Sequence, residues 1–141
     1  MAKIPIGVEL VRRGVVTDSQ IRQAIEYQRL HPNMKLGDII YTLGLADGKE
    51  LINAMSEIFA FPSVLLETSM IAINPRAFYS LDIAKETKSL PFAVEGDKCK
   101  VAFADPNNKQ ILRQITLLLM GKGFQIEPYL AFEPNIFNII S

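Results

Sequence analysis

The sequence predicts an α+β protein of two lobes, a helical lobe over residues 1–60 and a mixed strand and helix lobe over residues 61–141. In the first sixty residues, apolar side chains recur at three- and four-residue steps, which is typical of amphipathic helices. A hairpin pattern of alternating residues lies at 90–103, within the second lobe, with helical patterns on both sides. Because helices and strands are segregated in this way, separate helical and α+β parts are expected.

An internal repeat with a shift of thirty residues runs through the helical lobe, from 5–28 to 35–58. Glycines and aliphatic residues recur together in one register, which composition alone seldom produces. The coincident pairs include Gly7 with Gly37, Gly14 with Gly44, Ile6 with Leu36, Leu10 with Ile40 and Val15 with Leu45.

Each copy of the repeat predicts a helical hairpin. Gly14 and Gly44 follow the last apolar turn of a short first helix, where a left-handed residue commonly ends a helix. The pairs Thr17 with Gln20 and Asp47 with Glu50 then have the capping-box spacing of a second helix. Neither hairpin can bury its apolar face alone, so we expect the two to pack against each other.

The second lobe is predicted from cap and turn signals. Leu90, Phe92 and Val94 alternate before a turn at Gly96-Asp97, and a second alternating strand follows. The other predicted elements are a strand or extended crossing at 64–66, a helix from about Pro75 to Lys85, a helix opening at Asp105-Pro106, a strand at 124–132 and a short helix from Glu133 to Ile139.

Composition and motifs argue against catalysis and against nucleic acid as a partner. Fifteen basic residues balance fifteen acidic ones, so net charge provides no attraction to a polyanion. The sequence has no phosphate loop, HExxH or CxxC motif, and its one cysteine (Cys99) and one histidine (His31) lie in different predicted lobes. We therefore expect a non-enzyme without a bound metal or cofactor. Without a membrane-length apolar run or a signal peptide, we also expect a cytoplasmic protein that does not insert into a membrane.

Gly7 and Gly37 have two possible explanations. Glycine inside a helix costs roughly 1 kcal/mol relative to alanine, so its presence requires a reason. One reason is close packing of helices. The other is a ligand that approaches the backbone, and two equivalent positions suit a ligand with two equivalent halves. The sequence leaves both explanations open.

The repeat resembles a known tandem motif. Each copy of that motif begins with Arg-Leu-Gly, continues with two aliphatic residues, a glycine and two more aliphatic residues, and ends with two leucines and a glutamine at helical spacing. This motif marks the N-terminal domain of type II secretion and type IV pilus assembly ATPases, the MshE-type N-terminal domain. The second lobe is similar to the family around 101–107, VAFADPN. The resemblance implies a regulatory and docking domain, with the ATPase domain C-terminal to it. It also implies a cytoplasmic domain of an inner-membrane platform protein as partner, and through that partner a peripheral position at the inner membrane.

Some family members bind cyclic di-GMP on the tandem motif, and this is the alternative function that the resemblance implies. Here Pro5 and Lys35 stand where binders have arginine, and Ile58 replaces the second glutamine. A further alternative is an unrelated structural α+β domain whose repeat serves packing alone. The ligand positions implied by the resemblance are Ile6, Gly7, Leu10, Val11, Gln28, Lys35, Leu36, Gly37, Asp38 and Ile40.

Overall fold

The computed structural model describes residues 5–140. The chain divides into two compact units, residues 1–60 and residues 61–141. The described part of the first unit consists of four helices connected by short turns. They are α1 (Ile6–Arg12), α2 (Asp18–Leu30), α3 (Leu36–Thr42) and α4 (Gly48–Phe59).

The backbone repeats with the same thirty-residue shift as the sequence. The C-cap residues of α1 and α3 have almost identical dihedral angles, φ −81° and ψ −4° at Arg13 and φ −80° and ψ −4° at Leu43. Gly14 and Gly44 follow with φ values of +74° and +67°, a region that favours glycine. The backbone amides of Val15 and Leu45 then donate hydrogen bonds of 3.0 Å to the carbonyls of Leu10 and Ile40, in the helices that they follow.

The second helix of each hairpin is capped where the sequence predicted. Thr17 and Gln20 form a reciprocal capping box at the start of α2, and Asp47 accepts a hydrogen bond from the Glu50 amide at the start of α4. The apolar faces of the two hairpins meet in a closed core, as predicted because neither hairpin can bury its apolar face alone. Its most deeply buried members are Leu10, Ala24, Ile39, Ile40 and Leu51, all 0% exposed.

The second unit contains α5 (Leu81–Thr87), β1 (Ser89–Glu95), β2 (Lys98–Phe103), α6 (Lys109–Met120), β3 (Gln125–Leu130) and α7 (Glu133–Ile140). Its three strands form a mixed sheet of order β1-β2-β3. The hairpin strands β1 and β2 are antiparallel, with an irregularity between Pro91 and Ala93, while β2 and β3 are parallel. Because parallel neighbours need a crossover, α6 connects β2 to β3 and packs on the sheet.

The predicted helix from Pro75 to Lys85 is wrong in its extent. Asn74 caps only one 3₁₀ turn, Pro75–Ala77. Ser80 then accepts a hydrogen bond from the Ile83 amide and starts α5 as a separate helix. A serine that binds the backbone in this way competes with a continuous helix, because it provides an alternative partner for the amide.

The predicted helix start at Asp105-Pro106 is also displaced. Asn108 is the cap, its side chain accepting from the Ile111 amide at 3.2 Å, and α6 begins at Lys109. Asp105 instead closes a turn in which its carbonyl accepts from the Asn108 amide. The segment 64–66 is an extended crossing. Ser63, the residue before it, forms an isolated parallel bridge with Leu130, and Val64 and Leu66 are buried in the core of the unit.

Three hydroxyl groups of the second unit, those of Tyr79, Thr87 and Ser89, are hydrogen-bonded in a row. Ser89 Oγ lies 2.8 Å from Tyr79 Oη and 2.7 Å from Thr87 Oγ1, and Thr87 donates to the Ile83 carbonyl. These bonds connect α5 to the first residue of β1. Burial raises the pKa of Tyr79 above its ordinary value, so this phenol stays protonated as a hydrogen-bonding group.

Candidate functional site: the surface of the tandem repeat

The space next to both repeat glycines is filled by side chains of the same unit. A Cβ atom on Gly7 would lie 3.3 Å from Leu36 Cδ2 and 3.5 Å from Ile21 Cγ2. On Gly37 it would lie 2.6 Å from Met55 Cε and 2.9 Å from Met55 Sδ. At Gly37 a Cβ atom would overlap Met55, so glycine there permits close helix packing, which favours the first of the two explanations. At Gly7 a shift of a few tenths of an ångström in Leu36 would admit a Cβ atom, so the packing there is less restrictive.

The contacts around the two glycines are exchanged between the repeats. Gly7 faces Leu36, which precedes Gly37, and the position of a Cβ on Gly37 is 4.0 Å from Ile6 Cδ1, which precedes Gly7. The structure thus brings together four of the residues implied as ligand positions, Ile6, Gly7, Leu36 and Gly37. Their mutual contacts form the junction between α1 and α3. Ile21 and Met55, which cover the two glycines, are not among the positions that the resemblance implies. No spacing rule indicates which side chain lies over a glycine.

Gln28 and Lys35 lie at the connection between the two hairpins. The Gln28 side-chain amide donates to the Met34 carbonyl at 3.0 Å, so it fixes this connection. Lys35 is the exposed N-cap of α3. Beside them, the His31 ring stacks on Tyr27 with centroids 4.1 Å apart, and this contact makes His31 part of the turn.

The two halves of the repeat surface differ in polarity. Asp38 is 3% exposed on α3, whereas Val8, the equivalent residue of α1, is 54% exposed. The two arginines that follow in α1 are engaged elsewhere. Arg12 pairs with Glu9 at 3.0 Å, and Arg13 pairs with Glu9 and Glu57. The buried positions Leu10 and Ile40 belong to the core, and Val11 is half-buried on α1.

A separate cleft of about 430 Å³ lies on the first unit, next to the Arg13–Glu57 ion pair. Its lining contains none of the residues implied as ligand positions. The lining residues are Arg13, Val15, Glu50, Asn53, Ala54 and Glu57.

Side chains that could bind a metal or activate a nucleophile are not clustered in the part of the chain that the structure describes. No cluster of three or more histidine, cysteine or carboxylate side chains lies within residues 5–140 at metal-binding distances. Cys99 is fully buried on β2, and burial raises the pKa of its thiol to about 11. Over the same residues, no helix is long and apolar enough to cross a bilayer.

Comparison with known proteins gives a family. Residues 59–141 match the MshEN domain. The type IV pilus assembly ATPase PilB of Thermus thermophilus is 28% identical over 126 residues, which is 88% of this chain. The chain spans 14% of the length of that protein.

Solved structures confirm the predicted α+β fold. A structure of MshE with cdg (cyclic di-GMP) matches 97% of this chain and 96% of its own, with a TM-score of 0.64 and 22% identity. The N-terminal domain of XpsE matches 99% of this chain and 96% of its own, with a TM-score of 0.61 and 18% identity. The chain belongs to the MshEN domain family, and it is similar over 88% of its length to the type IV pilus assembly ATPase PilB.

Proposed function

We propose that this chain is a non-catalytic regulatory and docking domain of a secretion or pilus-assembly ATPase. In this function it couples the motor to the cytoplasmic domain of an inner-membrane platform protein, which keeps it cytoplasmic and peripheral to the inner membrane. The similarity to PilB supports this, because it extends over 88% of the chain but only 14% of that ATPase. A segment of this size is only a part of the motor, and its sequence contains no phosphate-loop motif.

The packing around the two repeat glycines is the observation that favours docking over ligand binding. The approach to Gly7 and Gly37 is occupied by Leu36 and Met55. The amide of Gln28 is also engaged within the unit. These residues together stabilise a closed helical unit, which is the property required of a scaffold that presents surfaces to partners.

Titration with the purified cytoplasmic domain of the platform protein tests docking directly. Isothermal calorimetry of the 141-residue chain should give saturable binding in the micromolar range, typical of regulated contacts between subunits. Bovine serum albumin serves as the negative protein control. Absence of binding at the highest concentration reached would exclude this partner.

Binding of cyclic di-GMP on the repeat surface is the second candidate. It is favoured by one observation, the likeness over 97% of the chain to a structure of MshE with this ligand. Lys35 is exposed at the start of α3, and an ammonium can bind a phosphate, although it lacks the planar fork with which arginine binds guanine or phosphate. Each polar interaction that a buried ligand fails to make costs about 1–3 kcal/mol, so we expect weaker binding than a full motif provides.

A pair of lysine variants tests this second candidate. If the ligand binds the repeat surface, Lys35→Ala should weaken its binding at least about tenfold, corresponding to 1.4 kcal/mol. Lys49→Ala, which removes an exposed lysine of α4 in the same unit, is the matched control and should bind like the wild type. Equal affinities in all three proteins would place the ligand elsewhere, and no heat in the wild type would exclude it.

A further inference from the structure

The exposed face of α6 combines cations with uncovered aliphatic side chains. Leu117 is 57% exposed and Met120 is 61% exposed, although most large apolar side chains of this unit are buried. Lys109 and Arg113 are exposed at steps of four residues before Leu117, so these four side chains form one stripe. From the first to the last of them the helix rises roughly 16 Å, at about 1.5 Å per residue.

This stripe is a second apolar face, separate from the one that holds α6 on the sheet. Ile115 and Leu119 are 0% exposed and anchor the helix. Leu117 lies two residues from each, which is about 200° around a helix of 3.6 residues per turn and therefore on the opposite side. Folding of the second unit does not require a leucine or a methionine at the exposed positions.

The charge around the stripe is of one sign. Residues 106–126 contain no aspartate or glutamate, and they contain Lys109, Arg113 and Lys122. None of these three cations takes part in an ion pair within residues 5–140, whereas Lys88, Lys98 and Lys100 of the same unit each pair with a glutamate. The unit therefore satisfies these strand and turn cations internally, and the α6 cations remain available to a partner.

We infer that this stripe of α6 is a docking surface for an acidic protein segment, in which one or two aliphatic side chains are flanked by carboxylates. This rests on the proposed docking function and assigns it a surface. Aliphatic side chains at the centre of a contact contribute most of the affinity, while the flanking charges select the partner and accelerate association. The order along the stripe, two cations and then two aliphatic side chains, is complementary to such a segment.

A protein segment fits the stripe better than a lipid bilayer does. A helix that lies in a membrane interface buries a broad apolar face. In α6 the broad face is already packed on the sheet, and only Leu117 and Met120 remain. Two side chains match the small central cluster of a protein interface.

The test uses the 141-residue chain and the purified cytoplasmic domain of the platform protein, with affinities from biolayer interferometry. Leu117→Asp and Arg113→Glu should each weaken binding at least about tenfold. Lys85→Glu is the matched control, since it reverses an exposed cation on α5 for which the described structure shows no ion pair, and it should stay within about twofold of the wild type. Circular dichroism verifies that each variant is folded, which is expected at exposed positions.

The outcomes separate this assignment from the function on which it rests. If the wild type binds and both α6 variants bind equally well, docking stands and the α6 surface is wrong. If the wild type does not bind the platform domain, the proposed function and the surface assigned to it both fail. Binding to vesicles of phosphatidylglycerol that is lost in Leu117→Asp, without binding to the platform domain, would overturn the protein segment as the occupant.

Discussion

Alanine should be tolerated less well at Gly37 than at Gly7, although the two positions are equivalent in the repeat. Replacing a helical glycine by alanine reduces the entropy of the unfolded chain and stabilises by about 0.5–1 kcal/mol where the new methyl group fits. At Gly7 the nearest atom to the new Cβ is Leu36 Cδ2 at 3.3 Å, which a shift of a few tenths of an ångström accommodates. We expect Gly7→Ala to stabilise by about 0.5 kcal/mol.

At Gly37 the methyl group meets Met55, whose Cε and Sδ atoms would lie 2.6 and 2.9 Å away. Met55 is 7% exposed, so its displaced end must find room inside the core. Overpacking costs about 1–3 kcal/mol, and the lower end applies here because Cε and Sδ are the flexible end of a methionine, which can move aside. The gain from alanine offsets this cost, so we expect Gly37→Ala to lie within about 0.5 kcal/mol of the wild type and below Gly7→Ala in stability.

Urea unfolding followed by far-ultraviolet circular dichroism measures both changes through linear extrapolation. The chain has no tryptophan, so ellipticity is the suitable signal. Met55→Val shortens the obstructing side chain, and in the Gly37→Ala background it should recover about 1 kcal/mol as a coupling energy in a double-mutant cycle. If Gly37→Ala stabilises as much as Gly7→Ala does, Met55 does not restrict that position and the packing explanation of the glycine is refuted.

Three further predictions concern caps, buried polar bonds and the thiol. Thr17→Ala removes the capping box of α2 and should lower the free energy of unfolding by about 1 kcal/mol. Ser19→Ala at an exposed position of the same helix is the control, and equal urea midpoints for the two variants would contradict the prediction. Ser89→Ala leaves the buried Tyr79 hydroxyl without its partner and should cost about 1–3 kcal/mol, most of which Tyr79→Phe should restore in the double variant. Because the pKa of Cys99 is about 11 in the folded chain and 9.0 ordinarily, the unfolded thiol ionises first. The stability advantage of the wild type over Cys99→Ala should therefore be constant below about pH 9 and shrink as pH rises towards 11. A constant difference across that range would show that the thiol is solvated.

The helical lobe was predictable in detail because its signals are local. Gly14 and Gly44 end their helices with positive φ, as the spacing indicated. Thr17 and Asp47 begin the next helices through bonds to residues three positions later. Each of these features depends on a few consecutive residues, so one sequence contains all the information required.

The second lobe was predictable in element type and less so in boundaries. Asn74-Pro75 and Asp105-Pro106 both suggested helix starts, but the cap of α6 is Asn108 and the cap of α5 is Ser80. Several residues near each start can accept a backbone hydrogen bond. Which one does so depends on where the sheet requires the helix to begin, and this is a tertiary constraint.

The sequence alone determined the repeat, the family resemblance and the expectation of a non-enzyme, since these rest on residue types at fixed spacings. Only the tertiary structure decided what the repeat glycines contact and which apolar residues remain exposed. Gly7 and Gly37 are equal in the sequence, yet a methyl group at Gly7 requires only a slight shift of Leu36, whereas at Gly37 it would overlap Met55. Leu117 and Leu119 are likewise equal as residue types, yet one is 57% and the other 0% exposed. Burial follows from the side of the helix that meets the sheet, and that side is established only when distant segments pack together.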